Sequence, residues 1–214
     1  LVGLNKLGAI SGLLNSNLSG NSLIHCINVT GSSKCIVGEE CMTELDAIQD
    51  QLSLQAGSDF FFVKDSGDQP CPNWAQDPMS SCAEASESNP AQTGETTIGE
   101  TALYIYTSGT TGLPKAAVLS NRRYLIAADM SAQAGLHCAV TDRIYLCLPL
   151  YHATGLLLGA GAAFASGASM FVRRKFSASN FLNEIREHNC SHMIYIGELC
   201  RYLTNIPEQA DDAN

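Results

Sequence analysis

The sequence predicts an α/β fold, a mostly parallel sheet with helices on its faces, and three observations carry that reading. From Ser33 onward, short runs of β-branched and aromatic residues alternate with longer amphipathic segments, the order that a parallel sheet covered by helices produces. A length of 214 residues with 45% hydrophobic residues can bury a sizeable core as one domain or at most two small ones. No internal repeat of solenoid or propeller period competes with this architecture.

The strands follow in order. KCIVG at Lys34 to Gly38, DFFFVK at Asp59 to Lys64 and ALYIYT at Ala102 to Thr107 are short and apolar, as buried strands are. RIYLCLP at Arg143 to Pro149, SMFVR at Ser169 to Arg173 and HMIYI at His192 to Ile196 read the same way, and AAVLS at Ala116 to Ser120 is also strand-like. Helices are expected from Glu39 to Gln55, from Arg122 to about Cys138 with Asn121 as N-cap, and from Ala178 to Asn189 capped by Ser177. Ala153 to Val172 is free of charge, and Gly155 and Gly159 have the spacing at which membrane helices pair. Only its first half is strongly apolar; Gly, Ala and Ser fill Gly159 to Ser169, so we read a tightly packed buried helix running into a strand.

Between Ser66 and Glu100 the composition turns to Ser, Glu, Gln, Asn, Pro and Gly. We read 66–100 as a flexible surface loop or linker. Charge excludes one class of partner: 21 acidic against 12 basic residues give a net charge of −9, which repels a polyphosphate backbone, so no nucleic acid is expected. The nine cysteines lie singly, without a C-x-x-C pair, and are read as reduced intracellular thiols. The first residue is Leu1, and the opening LVGLNKLGAISGLL lacks a basic start and a small-residue cleavage site, so the expectation is a chain that begins inside a longer protein.

One run concentrates chemistry: Tyr106, Thr107, Ser108, Gly109, Thr110, Thr111, Gly112, Leu113, Pro114 and Lys115. Glycines let backbone N–H groups approach phosphate oxygens, hydroxyls donate further hydrogen bonds, and the lysine adds a charge-assisted one. It is not a Walker A loop, which needs G-x-x-x-x-G-K followed by Ser or Thr; here Leu113 and Pro114 separate Gly112 from Lys115, and Ala116 follows. The bland alternative is an ordinary Ser/Thr/Gly/Pro turn, but turn chemistry does not demand this order of residues.

The order resembles the nucleotide-binding signature of the adenylate-forming, AMP-binding superfamily, and YIYTSGTTGLPKAA looks like its very-long-chain acyl-CoA synthetase and fatty acid transport protein branch. Ala116 stands where glycine is usual in the superfamily. Cys147 to His152, Arg174 to Ser179, Tyr195 to Leu203, Lys6 to Gly8 and Leu13 to Leu18 extend the resemblance over nearly the whole chain except 66–100. The resemblance implies that residues 1–214 are part of the large N-terminal AMP-binding domain, an internal fragment with the C-terminal domain absent. It implies ATP-dependent activation of long-chain or very-long-chain fatty acids to acyl-CoA through acyl-AMP. ATP, Mg2+ and CoA are the implied cofactor and co-substrates, with fatty acid as the partner. Thr107, Ser108, Gly109, Thr110, Thr111, Gly112 and Lys115 would hold the β- and γ-phosphates, and His152 would lie at the acyl end as a catalytic residue. The family's magnesium carboxylate belongs to a Y-G-x-T-E motif that this sequence lacks, and its role is not transferred to Glu198, which is read as a residue at a helix start. Membrane association of the parent is also implied: at endoplasmic reticulum, peroxisome or plasma membrane in a eukaryote, or at the cytoplasmic membrane in a bacterium.

Other groups are weighed by their own chemistry. His152 follows a strand ending at Pro149, the edge where α/β sheets bind ligands; the alternative is a hydrogen-bonded surface histidine. His188, Cys190 and His192 would share one face of an extended run, but a helix ending near Asn189 breaks the alignment, and no metal site is expected. His25 and Cys26 diverge on a helix and read as ordinary packing. Arg173, Arg174 and Lys175 are taken as a solvated strand end rather than a site for lipid or CoA phosphates. A non-catalytic fatty acid binding or transport protein is the competing function, separable from the enzyme by ATP dependence.

Overall fold

In this computed structural model the described residues are 1–107 and 112–207, the side chain at position 80 excepted, and they form two compact units. The first comprises Leu1–Thr97 and Thr101–Leu119, and the second Ile98–Glu100 with the chain from Ser120 onward.

The first unit holds α1 (Val2–Lys6), β1 (Ser11–Leu13), α2 (Gly20–Val29), β2 (Cys35–Gly38), α3 (Met42–Asp46), β3 (Phe60–Val63), α4 (Met79–Ala83), β4 (Thr101–Thr107) and β5 (Lys115–Ser120). Strands β1, β4 and β5 form one sheet in that order, with β1 parallel to β4 and Ser11 opposite Leu103. Strands β2 and β3 form a separate parallel pair, Cys35 opposite Phe60. The core beneath them gathers Leu23 and Ile27 of α2, Val37, Leu45, Ile48, Leu52, Phe60, Phe62 and Trp74.

Two expectations change here. The run from Glu39 to Gln55 is not one helix: a 3-10 turn at Glu39–Cys41, α3 and a second 3-10 turn at Gln49–Gln51 divide it. Glu39 in the first of these turns binds the 65–69 loop, and Leu45, Ile48 and Leu52 bury at helical spacing although the run is broken. The polar stretch 66–100 does supply core, because Trp74 is only 6% exposed. Its ring meets Phe60 edge-on at 5.2 Å, and its indole N–H donates to Asp46 Oδ1 at 2.6 Å, so burial leaves no orphaned donor. Gln76 then runs beside β3, exchanging backbone bonds with Phe60 and Phe62. A composition average hides one large aromatic.

The second unit holds α5 (Asn121–Met130), β6 (Arg143–Leu146), α6 (Gly161–Ser166), β7 (Ser169–Val172), α7 (Phe181–Glu187), β8 (His192–Met193) and α8 (Gly197–Thr204). The sheet order is β7-β6-β8, both pairings parallel. Ile144, Tyr145 and Leu146 of the central strand are 0% exposed, which is why that strand reads as an unbroken apolar run. The α/β class with parallel pairing therefore holds, although the described strands divide among three small sheets.

Helix ends shift by local chemistry. Ser120, not Asn121, caps α5, its hydroxyl accepting from the Arg123 N–H at 3.3 Å; a π-helical stretch at Ser131–Leu136 continues the run until His137 turns left-handed. α7 begins at Phe181, three residues late, because Ser177 Oγ faces Ser179 Oγ instead of a helix N–H. The charge-free run is a π-helical segment, Thr154–Ala160, leading through α6 into β7. Among the described residues no helix is long and apolar enough to cross a membrane. Its glycines serve close packing: a Cβ on Gly155 would lie 2.4 Å from the Pro149 carbonyl oxygen, and one on Gly159 would lie 2.5 Å from Leu146 Cδ1.

Candidate functional site

Strand β4 ends with Tyr106 and Thr107 and β5 begins with Lys115, so the two flanks of the phosphate-loop sequence belong to neighbouring strands. Ser108, Gly109, Thr110 and Thr111 lie outside the described residues. On the near flank Thr107 is exposed, and its hydroxyl donates to the Lys115 carbonyl at 3.5 Å. On the far flank Gly112 has φ 142°, a region that residues with a Cβ avoid, Leu113 is exposed, and Lys115 is exposed at the start of β5. The Lys115 ammonium is thus accessible to an anion, while the Thr107 hydroxyl proton is engaged by the Lys115 carbonyl.

Helix α2 supports both flanks. The Tyr106 hydroxyl donates to the Cys26 carbonyl, in the last turn of α2, at 2.6 Å, and the Thr30 hydroxyl lies 3.3 Å from the same phenol. Burial pushes the Tyr106 phenol above its ordinary value, the Thr30 contact opposing that rise. One residue earlier, His25 Nε2 lies 2.9 Å from the Pro114 carbonyl. A carbonyl only accepts, so Nε2 carries the proton. His25 was read from sequence as ordinary packing; its partner is 89 residues away, and no local pattern points to it. Beside these contacts lies an open recess of about 490 Å³ lined by His25, Thr30, Tyr104, Leu113, Lys115 and Val118 among others, with no acidic side chain.

In the second unit His152 follows β6, exposed at the C-terminal end of that strand. Its N–H donates to the Pro149 carbonyl at 3.2 Å, its carbonyl accepts from Leu156 N–H at 3.0 Å, and its ring leans on Tyr151 with centroids 4.7 Å apart. The backbone is therefore locked while the imidazole stays accessible.

The histidine-cysteine segment does not converge. His188 ends α7 and stacks on Phe171 at 3.9 Å, whereas His192 faces Asp142 and Ser191. A different trio, Cys138, Asp142 and His192, does come within metal-ligand range, a grouping that sequence distance hides. Its polar atoms are engaged with one another's neighbours: Asp142 accepts from Ala139 N–H at 2.7 Å and from Ser191 Oγ at 2.8 Å, and Ser191 Oγ lies 2.9 Å from His192 Nδ1. Those bonds, that from Ala139 foremost, hold the Asp142 carboxyl below its ordinary range. Arg173 is half-buried and pairs with Glu184 at 2.8 Å, while Glu184 accepts from the buried Tyr145 hydroxyl at 2.7 Å, so this arginine supports the sheet. Glu198 sits in the first turn of α8 beside Arg201, as its sequence position implied.

The α/β units with parallel pairing are of the class seen in adenylate-forming enzymes, and the family model for the AMP-binding enzyme matches residues 1–214. The chain belongs to the AMP-binding enzyme family. It is similar to long-chain fatty acid transport protein 6 of Mus musculus, at 39% identity over 212 residues, 97% of this chain and 32% of that protein. It is also similar to the medium/long-chain-fatty-acid–CoA ligase FadD6 of Mycobacterium tuberculosis, at 33% identity over 207 residues, again 97% of this chain and 32% of that protein. The chain thus spans about a third of the length of these relatives. Among solved structures, the inhibitor-bound N-terminal domain of FACL13 from Mycobacterium tuberculosis matches with a TM-score of 0.76 at 20% identity, covering 96% of this chain and 48% of that one. A red-emitting luciferase from Phrixothrix hirtus matches with a TM-score of 0.78 at 22% identity, covering 95% of this chain and 39% of that one. These two likenesses establish the fold.

Proposed function

We propose that the protein containing this chain activates long-chain or very-long-chain fatty acids with ATP. The fatty acid carboxylate attacks the α-phosphate, the bond from that phosphorus to pyrophosphate breaks, and acyl-AMP forms; the CoA thiol then displaces AMP to give acyl-CoA. The observation that carries this reading is the Tyr106–Lys115 sequence, whose described flanks bring the Thr107 hydroxyl and the Lys115 carbonyl within 3.5 Å. Two anions must meet in the first step, so donors arranged in advance around the β- and γ-phosphates lower the barrier where charge shifts. We assign that holding to Thr107, Ser108, Gly109, Thr110, Thr111, Gly112 and Lys115, and the acyl end to the exposed His152. The relatives named as a fatty-acid–CoA ligase and a fatty acid transport protein support the substrate class.

Mg2+ would shield the triphosphate, but the residues around the recess include no carboxylate and the sequence has no Y-G-x-T-E motif. The described residues around the recess do not fit that ion, and its ligand is assigned to another part of the protein, as are the C-terminal domain and its lysine. We place the protein inside the cell at a membrane surface, a reading supported by the odd, unpaired cysteine set and by the transport name of its relative. That name also motivates a second reading, fatty acid binding or transport without chemistry.

Fatty-acid-dependent ATP–pyrophosphate exchange by the complete protein tests the proposal. Exchange is expected with long-chain substrates, and replacing Thr111 and Lys115 together by Ala should reduce it by about 10²–10³-fold while the fold survives. Fatty acid binding with no ATP dependence would favour the second reading, and exchange at the unaltered rate in the double variant would overturn the phosphate-loop assignment.

A further inference from the structure

We propose that His25 is a positioning residue for the phosphate loop, acting with its neighbour Cys26 to bolt both flanks of the loop to one turn of α2. The inference rests on the proposed function above and concerns a residue that touches no substrate.

The geometry is specific. Tyr106 immediately precedes Thr107, and Pro114 immediately precedes Lys115, two exposed flanking residues that carry a hydroxyl and an ammonium. The residue behind each donor is held by α2: Tyr106 through its hydroxyl to the Cys26 carbonyl at 2.6 Å, and Pro114 through its carbonyl to His25 Nε2 at 2.9 Å. Consecutive residues of a helix thus grip positions on either side of the loop. Pro114 has no N–H of its own, so its carbonyl is the only backbone group through which it can be held. His25 is half-buried, which weakens competition from water for that carbonyl, and Thr30 braces the tyrosine one turn further along. α2 is in turn fixed by Leu23 and Ile27 in the core of the first unit, so the grip is rigid. A triphosphate held by preorganised donors is sensitive to displacement of those donors by a fraction of an ångström.

The bond needs a donor at the Nε2 position and nothing else that imidazole offers. Gln can present an amide N–H there, while Phe fills the space without a donor. In the complete protein, His25→Phe should lower kcat/KM for ATP in pyrophosphate exchange by about tenfold or more, leaving KM for fatty acid and the thermal midpoint near their original values. His25→Gln should recover most of that loss. Hydrogen–deuterium exchange of the same proteins supplies a readout besides activity: amides in 112–118 should exchange faster in His25→Phe and at the original rate in His25→Gln. Unchanged exchange protection in His25→Phe, equal kinetic losses in the two variants, or a parallel rise in KM for fatty acid would overturn the inference. Should the unaltered protein catalyse no pyrophosphate exchange, the functional reading fails, and the amide protection still decides whether His25 holds the loop.

Discussion

Glu39 shows how much one side chain can organise. Its carboxylate is buried and accepts from three backbone N–H groups, those of Asp65 and Gly67 at 3.0 and 3.1 Å on Oε2 and that of Gln69 at 2.7 Å on Oε1. Those bonds, led by the one from Gln69, hold its pKa below the ordinary carboxylate value. A folded-state pKa below the unfolded one means stability that is present in full above the unfolded value and lost as pH falls through the depressed folded value. Glu39→Gln turns one acceptor oxygen into a donor facing other donors. We expect a lower urea midpoint at pH 7 with the slope unchanged, and a smaller difference from the unaltered protein in acid, as measured by urea unfolding across pH.

At the scale of elements, small residues decide how closely strand and helix approach. A Cβ on Gly155 would meet the backbone oxygens of Pro149 and Leu148 at 2.4 and 2.8 Å, and backbone cannot swing aside as a side chain can. Alanine is favoured over glycine by about 1 kcal/mol in a helix, whereas overpacking costs about 1–3 kcal/mol, so the clash wins. Gly155→Ala is expected to destabilise the protein and to shift His152, which shares the turn; Gly3→Ala in α1, where nothing lies within 4 Å, should be neutral or stabilising. Urea unfolding of the two variants checks the contrast. The Gly155 and Gly159 spacing, which resembles a membrane pairing motif, is here the means by which a π-helical segment lies against β6.

At the scale of the whole molecule, the proposed phosphate donors and His152 are expected to be insufficient for acyl transfer. A bound triphosphate also needs its metal carboxylate and a group that controls attack at the α-phosphate, and catalysis falls steeply when one member of such a set is missing. The purified 214-residue chain, incubated with ATP, Mg2+, radiolabelled palmitate and CoA, is therefore expected to form no thioester above a control without ATP. ATP-dependent thioester at a rate near that of the complete protein would show that these residues suffice.

Much of this was legible in the chain. The apolar runs at Cys35–Gly38, Phe60–Val63, Thr101–Thr107 and Arg143–Leu146 revealed their strands because short β-branched and aromatic runs suit a pleated sheet, and in Arg143–Leu146 because a strand buried on both faces must be apolar throughout. The proposal for the Tyr106–Lys115 sequence came from the chain alone, because anion binding needs particular residue types in close succession. What stayed hidden depends on residues distant in sequence: the three-residue strand β1, stabilised by β4 some ninety positions away; Trp74 inside a polar stretch; the Cys138, Asp142 and His192 grouping; and the bond from His25 to Pro114. Local composition determined where the elements and the loop lie, whereas only the tertiary structure decided what holds the loop, because a hydrogen bond across 89 residues leaves no periodicity in the chain that makes it.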